Sequence, residues 1–244
     1  MSNFRIIPSL LIKNRGIYKG VQFKNHTYVG DPVNTVKLFN DLHADELILF
    51  DICCSINKNE PDYQYLQTIL KHSFIPVAYG GGVNSIEQAS KLFTLGIDRI
   101  VLHSALFNNL SVISEIANVY GSQSVVACIN VKKDHSVWYN QSQKTKLNIV
   151  DWAKVLQQQG VGEIIVQSIG KEGTYSGFDF ELINQLSKQL EIPLIISGGA
   201  SSFDDIERAR NYGASGVSVG SMFVYKRPYQ AVLIQYPFSK SEEQ

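Results

Sequence analysis

The chain has 244 residues, and its 22 Lys plus Arg are balanced by 22 Asp plus Glu, so the formal net charge is zero. That balance argues against bulk binding to nucleic acid or to a charged membrane surface, and no apolar run reaches the ~18 residues of a membrane span. The length is close to the ~250 residues typical of one eight-stranded α/β barrel.

The first residues, MSNFRIIPSLLIKN, contain a short apolar run with no cationic leader and no small-residue cleavage site. They predict a first strand over 5–12 rather than a signal peptide. Further apolar runs predict strands over 46–51, 75–79, 99–103, 124–129, 163–168, 193–197 and 216–220. These runs are apolar nearly throughout, as expected of strands covered on both faces. Helical stretches fall between them, at 33–43, 61–72, 85–95, 110–119, 150–159, 179–190 and 202–212, and several stop at a glycine (Gly96, Gly160, Gly213), a common helix terminator. Strand–helix alternation repeated eight times predicts the α/β class and a (β/α)8 TIM barrel in a single domain over 1–244. An open doubly wound sheet is the competing arrangement. Residues 13–32, with Lys13, Lys19 and Lys24, and 130–148, with Lys132, Lys133, Trp138 and Tyr139, are long connections and read as binding loops or lids. Pro228 and Pro237 predict a short or broken last helix, with 231–244 a loose tail.

The chain also repeats itself. Residues 75–107 and 192–224 align without a gap, and Ile75, Pro76, Gly81, Gly82, Ser85, Gly96 and Ser104 recur as Ile192, Pro193, Gly198, Gly199, Ser202, Gly213 and Ser221, an offset of 117. Two half-barrels, about 1–120 and 121–230, are expected. In such barrels the site lies at the C-terminal strand ends. Those ends read Gly81-Gly82 and His103-Ser104 in one half, and Gly198-Gly199 and Gly220-Ser221 in the other. Glycine lets an anion reach backbone N–H groups, and a neighbouring hydroxyl adds a donor. Two such turns suggest a phosphorylated small molecule. Tyr79 sits beside the first turn and is read as a ligand contact or a core residue. His26, His43, His72 and His135 are scattered and read as surface or loop residues. Cys53, Cys54 and Cys128 are odd in number and lie among apolar neighbours, which fits free thiols in a cytoplasmic protein and supplies no zinc set. No metal or other cofactor is expected. Cys128 reads as barrel interior, and Trp152 as helix packing.

The segments FRIIPSLLI, GDPVNTVKLFND, DELILFDI, IPVAYGGGV, GSQSVVACIN, GEIIVQSIGKEGTYSG and IPLIISGGA occur in order over roughly 4–224. Together they resemble the cyclase subunit of imidazole glycerol phosphate synthase. The resemblance implies a barrel of two fused halves, a substrate with a phosphate at each end, and a glutaminase subunit that docks beneath the barrel and sends ammonia through its centre. Two aspartates serve that family as general acid and base, and here the matching positions hold Leu11 and Asn130. A third aspartate, in the loop after strand six, is matched by Glu172. Asp51, Lys19 and Thr174 keep the family pattern. A ring of four alternating charges that gates ammonia is matched by Arg5, Glu46, Arg99 and Glu163, and partner-interface positions by Asp98 and Gln123. Such a ring can also be a plain ion-pair plug.

SLLIKN and AVLIQYP resemble a diverged subgroup associated with surface-polysaccharide synthesis. In that subgroup barrel and glutaminase are thought to supply ammonia to a separate ATP-dependent enzyme that amidates a sugar, giving an acetamidino group. Three functions stay open on the sequence: that ammonia-conducting subunit, a working cyclase in histidine biosynthesis, and a non-catalytic sensor or scaffold for a phosphorylated ligand.

Overall fold

The structure is a computed structural model that describes residues 4–139 and 143–236. Eight parallel strands form a closed barrel: β1 (Arg5–Lys13), β2 (Leu47–Asp51), β3 (Val77–Gly80), β4 (Arg99–Leu102), β5 (Val125–Val131), β6 (Glu163–Ser168), β7 (Leu194–Ser197) and β8 (Gly216–Val219). Closure is made by β1, which pairs in parallel with β2 through Ser9↔Ile48 and with β8 through Arg5↔Gly216. Helices α1 (Pro32–Asp41), α2 (Tyr63–Leu70), α3 (Ile86–Leu95), α4 (Ser111–Tyr120), α5 (Ile149–Gln158), α6 (Phe180–Ser187) and α7 (Phe203–Asn211) lie between them in sequence. The fold is the expected (β/α)8 barrel, and most helix ends fall within two residues of the pattern read from sequence.

The strands stand because both of their faces are covered. All seven residues of β5 are buried, as are all of β7 and β8. Ile7, Ile48, Ala78, Val101, Val126, Cys128, Ile165 and Ile195 form a separate apolar column inside the barrel. A larger outer layer, including Leu10, Leu49, Ile100, Ile164 and Ile196, packs between the barrel and the helices. The serines of the repeat have a structural use. Ser85 and Ser202 cap α3 and α7 by accepting hydrogen bonds from the backbone N–H of Gln88 and Asp205, which satisfies donors a helix start leaves unpaired.

Residues 13–32, read from sequence as a binding loop or lid, form a hairpin. Gly16–Val21 pairs with Lys24–Gly30 and also runs antiparallel to β1 through Leu11↔Tyr18. Its turns place Asn14, Arg15, Gln22 and Phe23 at left-handed φ between 48° and 63°. Three of the four (Arg15, Gln22 and Phe23) are residues that seldom signal such turns, so the pattern did not show. In 130–148, Val137–Trp138 pairs with the end of β5, and 140–142 lie outside the described residues. The last helix, α8 (Ser221–Val224), is short as expected. The tail reading needs correction for 231–236: Leu233 N–H donates to Val224 O at 2.9 Å, Gln235 N–H to Phe223 O at 3.0 Å, and Tyr236 Oη to Ile6 O at 2.9 Å. Residues 237–244 lie outside the described residues.

Among the described residues no helix is long and apolar enough to cross a membrane. Tyr236→Phe is expected to lower unfolding free energy by about 1 kcal/mol, the usual net worth of one hydrogen bond, read by urea denaturation; an unchanged midpoint would show that the tail is not tied down.

Candidate functional site

The C-terminal strand ends surround a cavity of about 430 Å³. Leu11 from β1 and Asn130 from β5 both line it, with Asp51, Gly81, Gly82, His103, Ser104 and Glu172. Leu11 and Asn130 therefore share one chamber, and neither side chain exchanges a proton near neutral pH. Asp51 is pinned to its own turn, since its Oδ1 accepts from the N–H groups of Cys53 at 2.9 Å and Cys54 at 3.1 Å.

His103 turns into the wall. Its Nδ1 lies 2.7 Å from Cys128 O, and its Nε2 lies 2.7 Å from Tyr139 O and 3.1 Å from Asn130 Nδ2. Burial pulls its pKa down, against the pull of the two carbonyls. Both ring nitrogens are thus engaged by the chain itself, and the ring steadies Asn130. In the register of β5 and β6, Asn130 stands opposite Gln167. Cys128 Sγ is 3.9 Å from the amide oxygen of each. Burial pushes that thiol up to about 12, which removes it as a nucleophile.

The two glycine turns differ. In the first, Gly81 and Gly82 have φ of 149° and 71°, and a Cβ on either would collide with Asp51 or with Asn59 O. Here Ser55 Oγ accepts from Gly82 N–H at 3.3 Å and from Ser104 Oγ at 3.1 Å. In the second, Gly198, Gly199, Gly220 and Ser221 enclose only about 10 Å³, bounded also by Glu172 and Tyr175. Lys19 Nζ lies so close to Gly220 that a Cβ there would strike it. Thr174 faces its own loop, with Oγ1 donating to Lys171 O at 2.8 Å.

Lys19 and Glu172 are both buried. The hairpin carries Lys19 over the rim and is held there by Gln22 N–H donating to Glu172 O at 2.8 Å. Burial lowers the Lys19 pKa to about 8, with Glu172 opposing, and Lys19 Nζ donates to Ser9 O. Burial raises the pKa of Glu172, with Lys19 opposing.

At the opposite end, Arg5, Glu46, Arg99 and Glu163 form a closed ring. Arg5 reaches Glu46 with Nη1 at 2.8 Å and Glu163 with Nη2. Arg99 uses Nη1 alone for both, at 3.3 Å to Glu46 and 3.4 Å to Glu163. Burial pushes the Glu46 carboxyl up and Glu163 adds to this, while Arg99 and Arg5 pull it down. Burial works against the charge of Arg5, but the two glutamates outweigh it and its pKa rises. Asp98 and Gln123 are exposed on the same end; Asp98 Oδ2 accepts from Val77 N–H at 2.8 Å, and Gln123 Nε2 donates to Tyr120 O at 3.0 Å.

Several residues emerge only in three dimensions. Gln167 and Ser55 line the cavity, joined by Tyr139 from the connection read as a binding loop. So does His26, read from sequence as a surface or loop residue, because the hairpin turns it inward. Tyr79 is a core residue with no exposed surface. Phe74 is 88% exposed just before β3, at the ring end. All three cysteines are free. Among the described residues no group of three or more His, Cys, Asp or Glu could hold a metal ion.

A family model described as histidine biosynthesis protein matches residues 5–229. The chain belongs to this family, and to its HisF branch. A Pseudomonas aeruginosa protein provisionally named imidazole glycerol phosphate synthase subunit hisF2 is 41% identical over 239 residues, covering 96% of this chain and 95% of that protein. A Vibrio vulnificus protein provisionally named as subunit hisF3 is 38% identical over 250 residues, covering all of this chain and 96% of its own. The imidazole glycerol phosphate synthase subunit HisF of an Exiguobacterium species is 36% identical over 209 residues, with 84% and 82% covered.

The HisF-family rim of this chain thus carries one buried cation whose charge depends on Glu172. Because the folded pKa of Lys19 lies below the ordinary 10.5, this group adds stability as pH climbs from about 8 toward 10.5. Glu172→Gln removes the charge that supports the ammonium, so NMR of the lysine amines should show Lys19 titrating below its wild-type value; an unmoved titration, or one at 10.5, contradicts the pairing.

Proposed function

We propose that this HisF-family barrel docks a glutaminase subunit at its ring end and conducts ammonia to a separate ATP-dependent enzyme. That enzyme would amidate a surface-polysaccharide sugar to an acetamidino form. The observation that carries the proposal is the contrast between the two ends. The rim has Leu11 and Asn130 where proton exchange would be needed, while the floor keeps a complete ring of four charges.

The chemistry supports each part. General acid–base assistance is worth ~10²–10⁴-fold per group, so replacement of both family aspartates favours loss of ring closure. Between floor and rim lies the apolar column of Ile7, Ile48, Val101, Val126, Ile165 and Ile195. Such a column passes neutral ammonia far more readily than ammonium, whose charge is costly to strip of water. The ring is unequal: Arg99 reaches both glutamates through longer contacts from a single nitrogen, while Arg5 uses a separate nitrogen for each. Arg99 is therefore the side that opens, since Arg5 still holds both carboxylates when it leaves. Asp98, Gln123 and the exposed ring of Phe74 offer a partner both polar contacts and an aromatic anchor.

The cyclase reading keeps one observation in its favour: Asp51, Lys19 and Glu172 surround the same rim. An assay with external ammonium and the imidazole-forming substrate separates the two. The wild-type chain should turn over ~10²-fold or more below aspartate-bearing relatives, and a Leu11→Asp, Asn130→Asp double variant should regain part of the loss; wild-type turnover within tenfold of those relatives would defeat the proposal. In the complex with a glutaminase, Arg99→Ala should change the ratio of glutamine hydrolysed to acceptor amidated more than it changes the melting temperature. An unaltered ratio with the partner bound would remove the gate role.

A further inference from the structure

We propose that this chain associates with a second copy of itself along the segment 225–236, antiparallel about a two-fold axis. The surface is a side wall of the barrel, separate from the rim cavity and from the ring of charges, so the inference does not rest on the ammonia reading.

The wall is open because the last helix is short. Each of the first seven strands is followed by a helix of eight to ten residues. β8 is followed only by the four residues of α8, about 6 Å of helix. A strap takes the place of a longer one. Tyr225–Lys226 runs out, and Ala231–Val232 returns beside it in antiparallel pairing. The strap ends at the floor, where Tyr236 Oη donates to Ile6 O at 2.9 Å and lies 3.1 Å from Asp45 Oδ2.

All of 226–233 is exposed. Tyr229 is 89% exposed, Leu233 51% and Val232 50%. Scattered exposed apolar residues are ordinary, but three grouped on one short segment mark a contact surface. The backbone points the same way. Leu233 N–H donates inward to Val224 O at 2.9 Å, and Val232 stands opposite Tyr225. By antiparallel alternation the N–H and C=O of Val232 turn away from the ladder. Apolar side chains and outward backbone groups on an edge form a template for another strand.

Two features select a second copy as the occupant. The first is symmetry: an edge strand meets its own copy in antiparallel fashion about a two-fold axis, the commonest symmetry of soluble oligomers, and the outward groups of Val232 then face an identical set. The second is charge. Lys226 and Arg227 lie exposed at the rim end, where the Arg227 guanidinium sits over the Tyr175 ring, 4.9 Å from its centroid. Asp45 lies exposed at the floor end. Reversal about a two-fold axis sets the cations of one copy against the carboxylate of the other at both ends, whereas parallel packing would set like against like. The floor of each copy stays uncovered.

Sedimentation equilibrium of the purified chain over a dilution series reads the association directly. A monomer–dimer equilibrium approaching twice 27.3 kDa is expected, while Leu233→Glu stays at the monomer mass with an unchanged far-UV circular dichroism spectrum. Lys226→Glu is expected to raise the dissociation constant about tenfold at low salt. Hydrogen exchange of the wild-type chain gives a second readout that needs no variant to fold: amides of 230–234 should gain protection as chain concentration rises. A wild-type chain that stays monomeric throughout the series, a dimer that survives in folded Leu233→Glu, or protection at 230–234 that does not change with concentration would each overturn the inference. Protection that arises there only when a different protein is added would give the wall to that partner and overturn it as well.

Discussion

Closure of the sheet through β1 is the constraint on which everything else depends. By pairing in parallel with β2 on one side and β8 on the other, β1 closes around one axis a sheet whose helical crossovers already make every strand run the same way. All C-terminal ends then gather at one rim and all N-terminal ends at one floor. Leu11 meets Asn130 and Glu172 for that reason alone, and Arg5 meets Glu46, Arg99 and Glu163 for the same reason. The two ends are separated by an interior column with no charged side chain among its members.

That separation lets the ends carry different chemistry. Replacing an acid at the rim does not disturb ion pairs at the floor, because the apolar column lies between them and the contacts of each group are local. A ring with two arginines and two glutamates is stable only as a set. Removing one member leaves a partly buried charge short of its partner, a costly state. In the proposed reading, a complete ring beside a rim that holds Leu11 and Asn130 favours conduction over ring closure. Glu172 and Lys19 are buried together under the hairpin, and their mutual support closes one turn while the other stays open to the cavity.

The barrel was legible in the sequence because buried parallel strands are continuous apolar runs and because glycine marks positions where the backbone must adopt positive φ or come close to another chain segment. Gly81, Gly82, Gly198 and Gly199 all have such φ values. Leu11, Asn130 and Glu172 were placed at the rim, and the four ring charges at the floor, by the resemblance to the family. The hairpin over 16–30 was not legible, because its turns are carried by pairs such as Gln22-Phe23 rather than by Asn-Gly or Gly-rich pairs. Without the hairpin, the inward face of His26 and the burial of Lys19 had no basis. Ser55, Gln167 and the anchoring of Tyr236 depend on contacts between distant segments, which periodicity does not report. Ser85 and Ser202 drew notice as repeated positions near a turn, yet their hydroxyls are spent on helix caps.

Tracing the amide nitrogen of glutamine tests the central claim most directly. A complex of this chain with the proposed glutaminase partner is given amide-labelled glutamine and the imidazole-forming substrate, without any third enzyme, and the label is followed by NMR. Labelled free ammonium accumulating at the rate of glutamine loss is the expected result. Label entering a new imidazole ring at that rate would contradict it.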